Sequence, residues 1–143
     1  MPNLERFIKA QNADYPYALA EIKNGRKQSH WMWYIFPQLA HEFRGQSENN
    51  KFYAIRGLAE AKEYWANELL QSRLLEITAA LLQSGQSDPE AIMGSSIDAK
   101  KLRSCMTLFS VAVPEESIFN DVLEQFYRGR KCDWTMRLLF PDE

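Results

Sequence analysis

Cysteine and histidine are scarce, with two of each in 143 residues. They stand far apart, with neither CxxC nor HExxH spacing. A disulfide framework is thereby excluded, and no metal site is expected. Long apolar runs are missing too, since none approaches the roughly 20 residues that a membrane-spanning helix needs. Met1 to Ala10 carries Glu5, Arg6 and Lys9 where a secretory signal would need an apolar stretch. The expectation is a cytoplasmic protein with Cys105 and Cys132 as reduced thiols. There is no excess of positive charge either. Seventeen basic against nineteen acidic residues give a formal charge of −2, which argues against nucleic acid and anionic membrane as partners. No dinucleotide or P-loop glycine pattern occurs, so no cofactor is expected. Glycine and proline number six each and fall between periodic segments, with no linker, repeat or low-complexity tract. Residues 1–143 read as one domain.

What the chain does have is apolar content, 45% of residues, with 13% aromatic, and helical periodicity almost throughout. Asn3 is read as the cap of a first helix and Asp14 as the cap of a second, stopped at Gly25. Ser29 is read as the cap of a helix from Ser29 to Phe36, ended by Pro37. His41 to Asn50 is polar and reads as a loop, and Asn50 to Tyr64 as a helix weakened at Gly57. Asn67 caps the clearest helix, with Leu70, Leu74, Ile77 and Leu81 on one face. Asp88-Pro89 starts a short helix. Asp98 is expected to cap the next, with Leu102, Cys105, Met106 and Phe109 facing inward. Pro114 opens another, burying Ile118, Val122 and Phe126 up to Gly129, and Asp133 caps a last short one. No segment alternates with period two for long enough to make a strand. The fold expected is all-α, a single domain of seven to ten helices around a central aromatic helix.

That aromatic helix lies within "KQSHWMWYIFPQ", Lys27 to Gln38. A helix apolar all round is normally buried, so Trp31 to Phe36 read first as core. The polar residues that frame it, Lys27, Ser29, His30 and Gln38, are where chemistry has to sit. His30 is expected to neighbour Trp33 and Tyr34 on a helix surface, and an imidazole there suits an acid or base. Aromatic walls with a few convergent polar groups also line small-molecule pockets, and Trp31 or Trp33 can stack a planar ligand. "GSSIDAKKLRS", Gly94 to Ser104, is the second place of interest. Its lysines beside a helix start suit an anion, although a capped helix with a solvated basic face is the simpler account. Lys101 and Ser104 lie one turn apart there.

"KQSHWMWYIFPQ", "YAIRGLAEAKEY" from Tyr53 to Tyr64 and "KLRSCMTLF" from Lys101 to Phe109 together resemble the signature blocks of the bacterial DUF1810 family, a domain of unknown function. The resemblance runs from Leu4 to Leu139 and matches at Lys27, Ser29, His30, Trp31, Trp33, Pro37, Gln38, Tyr53, Glu60, Lys101, Ser104, Asp133 and Thr135. It implies one compact helical domain and no particular activity. The calpastatin-like label sometimes given to that family implies a disordered, aromatic-poor inhibitor, the opposite of this composition. The chain departs from the family pattern after Gln38, at "LAHEFRGQS", and around Ala66 to Leu70.

The functional expectation is a small-molecule pocket for a nucleotide or other anionic metabolite. His30 and Lys101 are its candidate catalytic pair. Lys27, Ser29, Trp31, Trp33, Gln38, Tyr53, Ser104 and Asp133 are its candidate ligand-binding residues. The alternative is an interaction module or homodimer without catalysis, its exposed aromatics forming the contact face.

Overall fold

The computed structural model describes residues 3–40 and 52–141. Among these residues there are eight helices: α1 Glu5–Lys23, α2 Met32–Ile35, α3 Leu58–Ala66, α4 Glu68–Gln83, α5 Pro89–Met93, α6 Ser96–Ala112, α7 Ile118–Tyr127 and α8 Asp133–Leu139. The polar loop expected between His41 and Asn50 lies outside the described residues. None of the helices is long and apolar enough to cross a membrane.

The hub of the fold is α6, which packs against α3, α5, α7 and α8. Its inward face is the one its spacing predicts: Leu102, Cys105, Met106 and Phe109 are fully buried. Each large side chain there contributes about 1.5–3 kcal/mol by leaving water. Phe109 also links two aromatic neighbours, Tyr64 at 5.4 Å and Phe119 at 5.6 Å between ring centroids. The long helices α1 and α4 pack on each other, and α4 also meets α3 and α7. No disulfide joins Cys105 to Cys132, and burial pushes the Cys105 thiol well up.

Local rules hold where the capping partner is local. The Asn67 side chain accepts from Leu70 N at 3.1 Å and starts α4. Asp88 accepts from Glu90 N at 3.0 Å, with Pro89 as the first helical residue of α5. α7 opens at Ile118 and not at Pro114. Four further expectations fail, the first three where a distant partner wins. First, α1 runs unbroken through Asp14, with Pro16 inside it. An interior proline costs about 3 kcal/mol, but buried Phe7, Gln11, Tyr15, Ala18 and Ile22 hold the helix on both sides of it. Asp14 is no cap, because it accepts the Tyr34 hydroxyl instead. Nor does Asn3 cap α1, since the N-cap position falls to Leu4 without a side-chain bond.

Second, Ser29 does not cap an eight-residue helix. The aromatic segment makes a single turn, α2, and Ser29 bonds to Glu21 of α1. Third, Tyr53 to Arg56 is not helical: Ile55 forms a parallel bridge with Leu39, and α3 starts after Gly57 at a φ of 155°. Fourth, α6 is capped by Ser95, whose hydroxyl accepts from Asp98 N at 3.1 Å. Asp98 therefore sits inside the first turn, with its carboxylate available for other partners.

Candidate functional site

In the segment between α1 and α2, four donors from residues 28 to 31 converge on one side chain. Glu21 accepts from Gln28 N at 2.7 Å, Ser29 N at 2.9 Å, Ser29 Oγ at 2.6 Å and Trp31 Nε1 at 2.9 Å. Partial burial works to raise the Glu21 carboxyl, but the hydroxyl, backbone and indole donors outweigh it and pull the pKa down to about 2. Lys27 lies at the start of this segment. Its N–H donates to Ile92 O at 2.8 Å, at the end of α5. Gly94 closes the approach from below. A Cβ there would stand 2.9 Å from Lys27 O, and its φ of 83° already demands glycine.

The Lys27 side chain then turns toward α6. Its Nζ donates to Ser29 O at 2.6 Å, pairs with Asp98 Oδ2 at 2.9 Å and stands 4.9 Å from the Trp31 ring centroid. Lys101, one turn along α6, reaches the other oxygen of the same carboxylate at 4.0 Å, the outer limit of an ion pair. Its Nζ lies 5.1 Å from the Trp33 ring centroid. The two lysines are 8% and 9% exposed. Burial lowers the Lys101 ammonium below the ordinary lysine value; Asp98 pulls it back and the nearby Lys27 lowers it further. The indole Nε1 of Trp33 is buried and has no hydrogen-bond partner among the described residues.

Of the residues singled out from the sequence, Lys27, Trp31, Trp33 and Lys101 thus share one cluster. Trp31, at 1% exposed, is a wall of the core and offers no face to a planar ligand. The others have different company. His30 and Ser29 are exposed; Ser29 belongs to the Glu21 latch, and the His30 carbonyl accepts from the Tyr34 hydroxyl at 3.3 Å. Gln38 is buried, and its carbonyl accepts from Ile55 N. Tyr53 stacks with Phe52, Tyr34 and Phe7. Ser104 is buried and bonds to Cys132 Sγ at 3.4 Å. Asp133 is exposed as the first residue of α8 and does not cap it, since the N-cap position falls to Cys132 without a side-chain bond, and Thr135 is buried with its hydroxyl unpartnered among the described residues. Glu60 pairs with Arg6 at 3.1 Å, a structural tie between α3 and α1.

Asp98 is the member that sequence reasoning misplaced. The pattern Ser95-x-x-Asp98 is that of a capping box, with the serine as cap and the carboxylate three residues on. It was the available sign that Asp98 is not itself the cap. Glu21 had no sign in the sequence, because a glutamate in the last turns of a helix is ordinarily a solvated residue.

Fold and cluster together define a class: a compact helical domain with two lysines and one shared aspartate packed against tryptophan. The chain belongs to the DUF1810 family, a protein family of unknown function whose model matches residues 1–139. It is also similar to a solved structure, the conserved hypothetical protein Rv1873 from Mycobacterium tuberculosis. The two are 38% identical over 95% of each chain, with a TM-score of 0.89. No curated protein matches it by sequence.

Proposed function

We propose that this chain binds a compact anion, or the anionic end of a metabolite, at the Lys27–Asp98–Lys101 cluster. The observation that carries the reading is an imbalance of charge. Among the described residues, two largely buried ammonium groups face one carboxylate. An unpaired buried charge costs several kcal/mol, and each tryptophan face returns only about 0.5–2 kcal/mol. A carboxylate or phosphate from a ligand would complete the pairing, and an acceptor on it would satisfy Trp33 Nε1. Nucleotides are the class the sequence favours. With Trp31 buried, recognition by the phosphate carries more of the argument than stacking of a base. An acid–base role for His30 draws no support from its position, since no hydrogen bond or ion pair among the described residues joins its imidazole to the cluster.

The test is a thermal-shift screen against nucleotides, sugar phosphates and small carboxylates. A ligand present at 100 times its Kd adds about 2.7 kcal/mol to stability, which is readily seen as a raised melting temperature. The shift should vanish in Lys27→Met and Lys101→Met, which keep the stem and remove the charge. A broad anion library that gives no shift at all would refute the reading.

A second reading, an interaction face or a homodimer, rests on a different observation. Trp134 and Leu138 lie four residues apart on α8 and are 49% and 36% exposed. That is the one place on α8 where large apolar side chains stand one turn apart in solvent. Sedimentation at rising concentration tests the homodimer form, and a constant monomer mass removes it.

A further inference from the structure

The two lysines around Asp98 are not equivalent, and the difference assigns them different work. Lys27 is anchored on three sides, by the carboxylate at 2.9 Å, the Ser29 carbonyl at 2.6 Å and the Trp31 ring. Among the described residues, Lys101 has only the long contact of 4.0 Å to the same carboxylate and the Trp33 face at 5.1 Å. Its amine is therefore the group with nothing tight to give up. A neutral amine is the nucleophile of this pair, and neighbouring positive charge with a low-polarity wall is how a lysine amine is activated. The charged groups acting on it are Asp98 from its own helix and Lys27 from the α1–α2 connection.

We infer that Lys101 is a covalent site, whose amine condenses with the carbonyl of a small anionic oxo compound while Lys27 and Trp33 Nε1 receive the anionic group. The ligand class is a 2-oxo acid, or an aldehyde bearing a carboxylate or phosphate. The step balances without any further reactant. The Lys101 ammonium gives one proton to Asp98, and the Nζ lone pair forms a bond to the carbonyl carbon. The carbonyl oxygen takes up a proton from that same nitrogen to give a neutral carbinolamine. Loss of that hydroxyl as water, with the proton returned by Asp98, leaves the protonated imine facing the Asp98 carboxylate. Burial to 9% exposure shields an imine from hydrolysis better than any surface lysine would. This inference rests on the anion-binding reading and adds the covalent step to it.

The experiment is trapping in the intact chain. The protein is incubated with glyoxylate and cyanoborohydride, and adducts are located by peptide mass spectrometry. The expected result is one adduct at Lys101, appearing before any at the exposed Lys9, Lys23, Lys62 and Lys100, and suppressed by excess oxalate, which has the charge but no reactive carbonyl. In Lys101→Arg the adduct should be lost. Adducts confined to the exposed lysines, with Lys101 unmodified, overturn the covalent role. If oxalate still shifts the melting temperature in that case, the anion site stands without the covalent step. If it does not, both readings fail. The mapping in the unaltered chain decides the matter even where the arginine variant fails to fold.

Discussion

Replacing Glu21 by glutamine tests how the aromatic segment is held. The side chain collects four donors from residues 28, 29 and 31, and these fix the turn that carries Lys27 and Trp31. A carboxyl lowered from 4.5 to about 2 by those contacts would stabilise the fold by about 3 kcal/mol if nothing were screened. Glu21 is only half-buried, so solvent reduces this to about 1–2 kcal/mol. For a chain of this length that is a drop of roughly 3–8 °C in melting temperature in Glu21→Gln at pH 7. The sign of the pH dependence follows from which form the fold holds. The donors bind the carboxylate, so the stabilisation is complete above pH 4.5 and is lost as pH falls through about 2. The gap between wild type and variant, followed by calorimetry from pH 7 to pH 3, should therefore begin to close below pH 4.5. A gap that stays constant over that range would show that shape alone, not the carboxylate charge, holds the segment, and the reasoning would fail.

Two further outcomes follow from the cluster itself. Asp98→Asn removes the only carboxylate that the two lysines share in this cluster and leaves their charges uncompensated, at a cost of about 3 kcal/mol. Urea unfolding measures it, and adding Lys27→Met to that variant should recover part of the loss. Gly94→Ala places a methyl group 2.9 Å from the Lys27 carbonyl at a φ of 83°. It should cost about 1–3 kcal/mol, and the same variant should bind the anion more weakly, since Lys27 is displaced with its backbone.

The parts of the fold that were legible in the sequence are those whose causes are local. Leu70, Leu74, Ile77 and Leu81 repeat along one face, Asn67 bonds three residues ahead, and the inward face of α6 follows from spacing alone. Two of the errors share one cause, a partner far along the chain that outbids a local habit. Ser29 would cap a helix, but Glu21 takes it. Asp14 would start a helix, but the Tyr34 hydroxyl occupies it, and α1 continues through Pro16 because its buried face is packed on either side. Within the candidate site, the complementary chemistry of Lys27 and Lys101 was visible in two separate blocks. That Asp98 joins them was not, because a carboxylate in the first turn of a helix has a sufficient local explanation in the helix dipole.

The division of Asp98 between two ammonium groups also makes the lysines answer to each other. One carboxylate can favour only one partner at full strength, so whatever neutralises or occupies Lys101 releases Asp98 to bind Lys27 more closely. By thermodynamic reciprocity, whatever strengthens the hold on Lys27 must alter the affinity of Lys101 for its ligand by the same factor. Lys27 is tied through its backbone to Ile92 and through Ser29 to Glu21. Occupancy of that amine by the proposed anion would thereby be linked to the end of α5 and the last turns of α1, and a ligand of only a few atoms would have a lever on the packing of three helices.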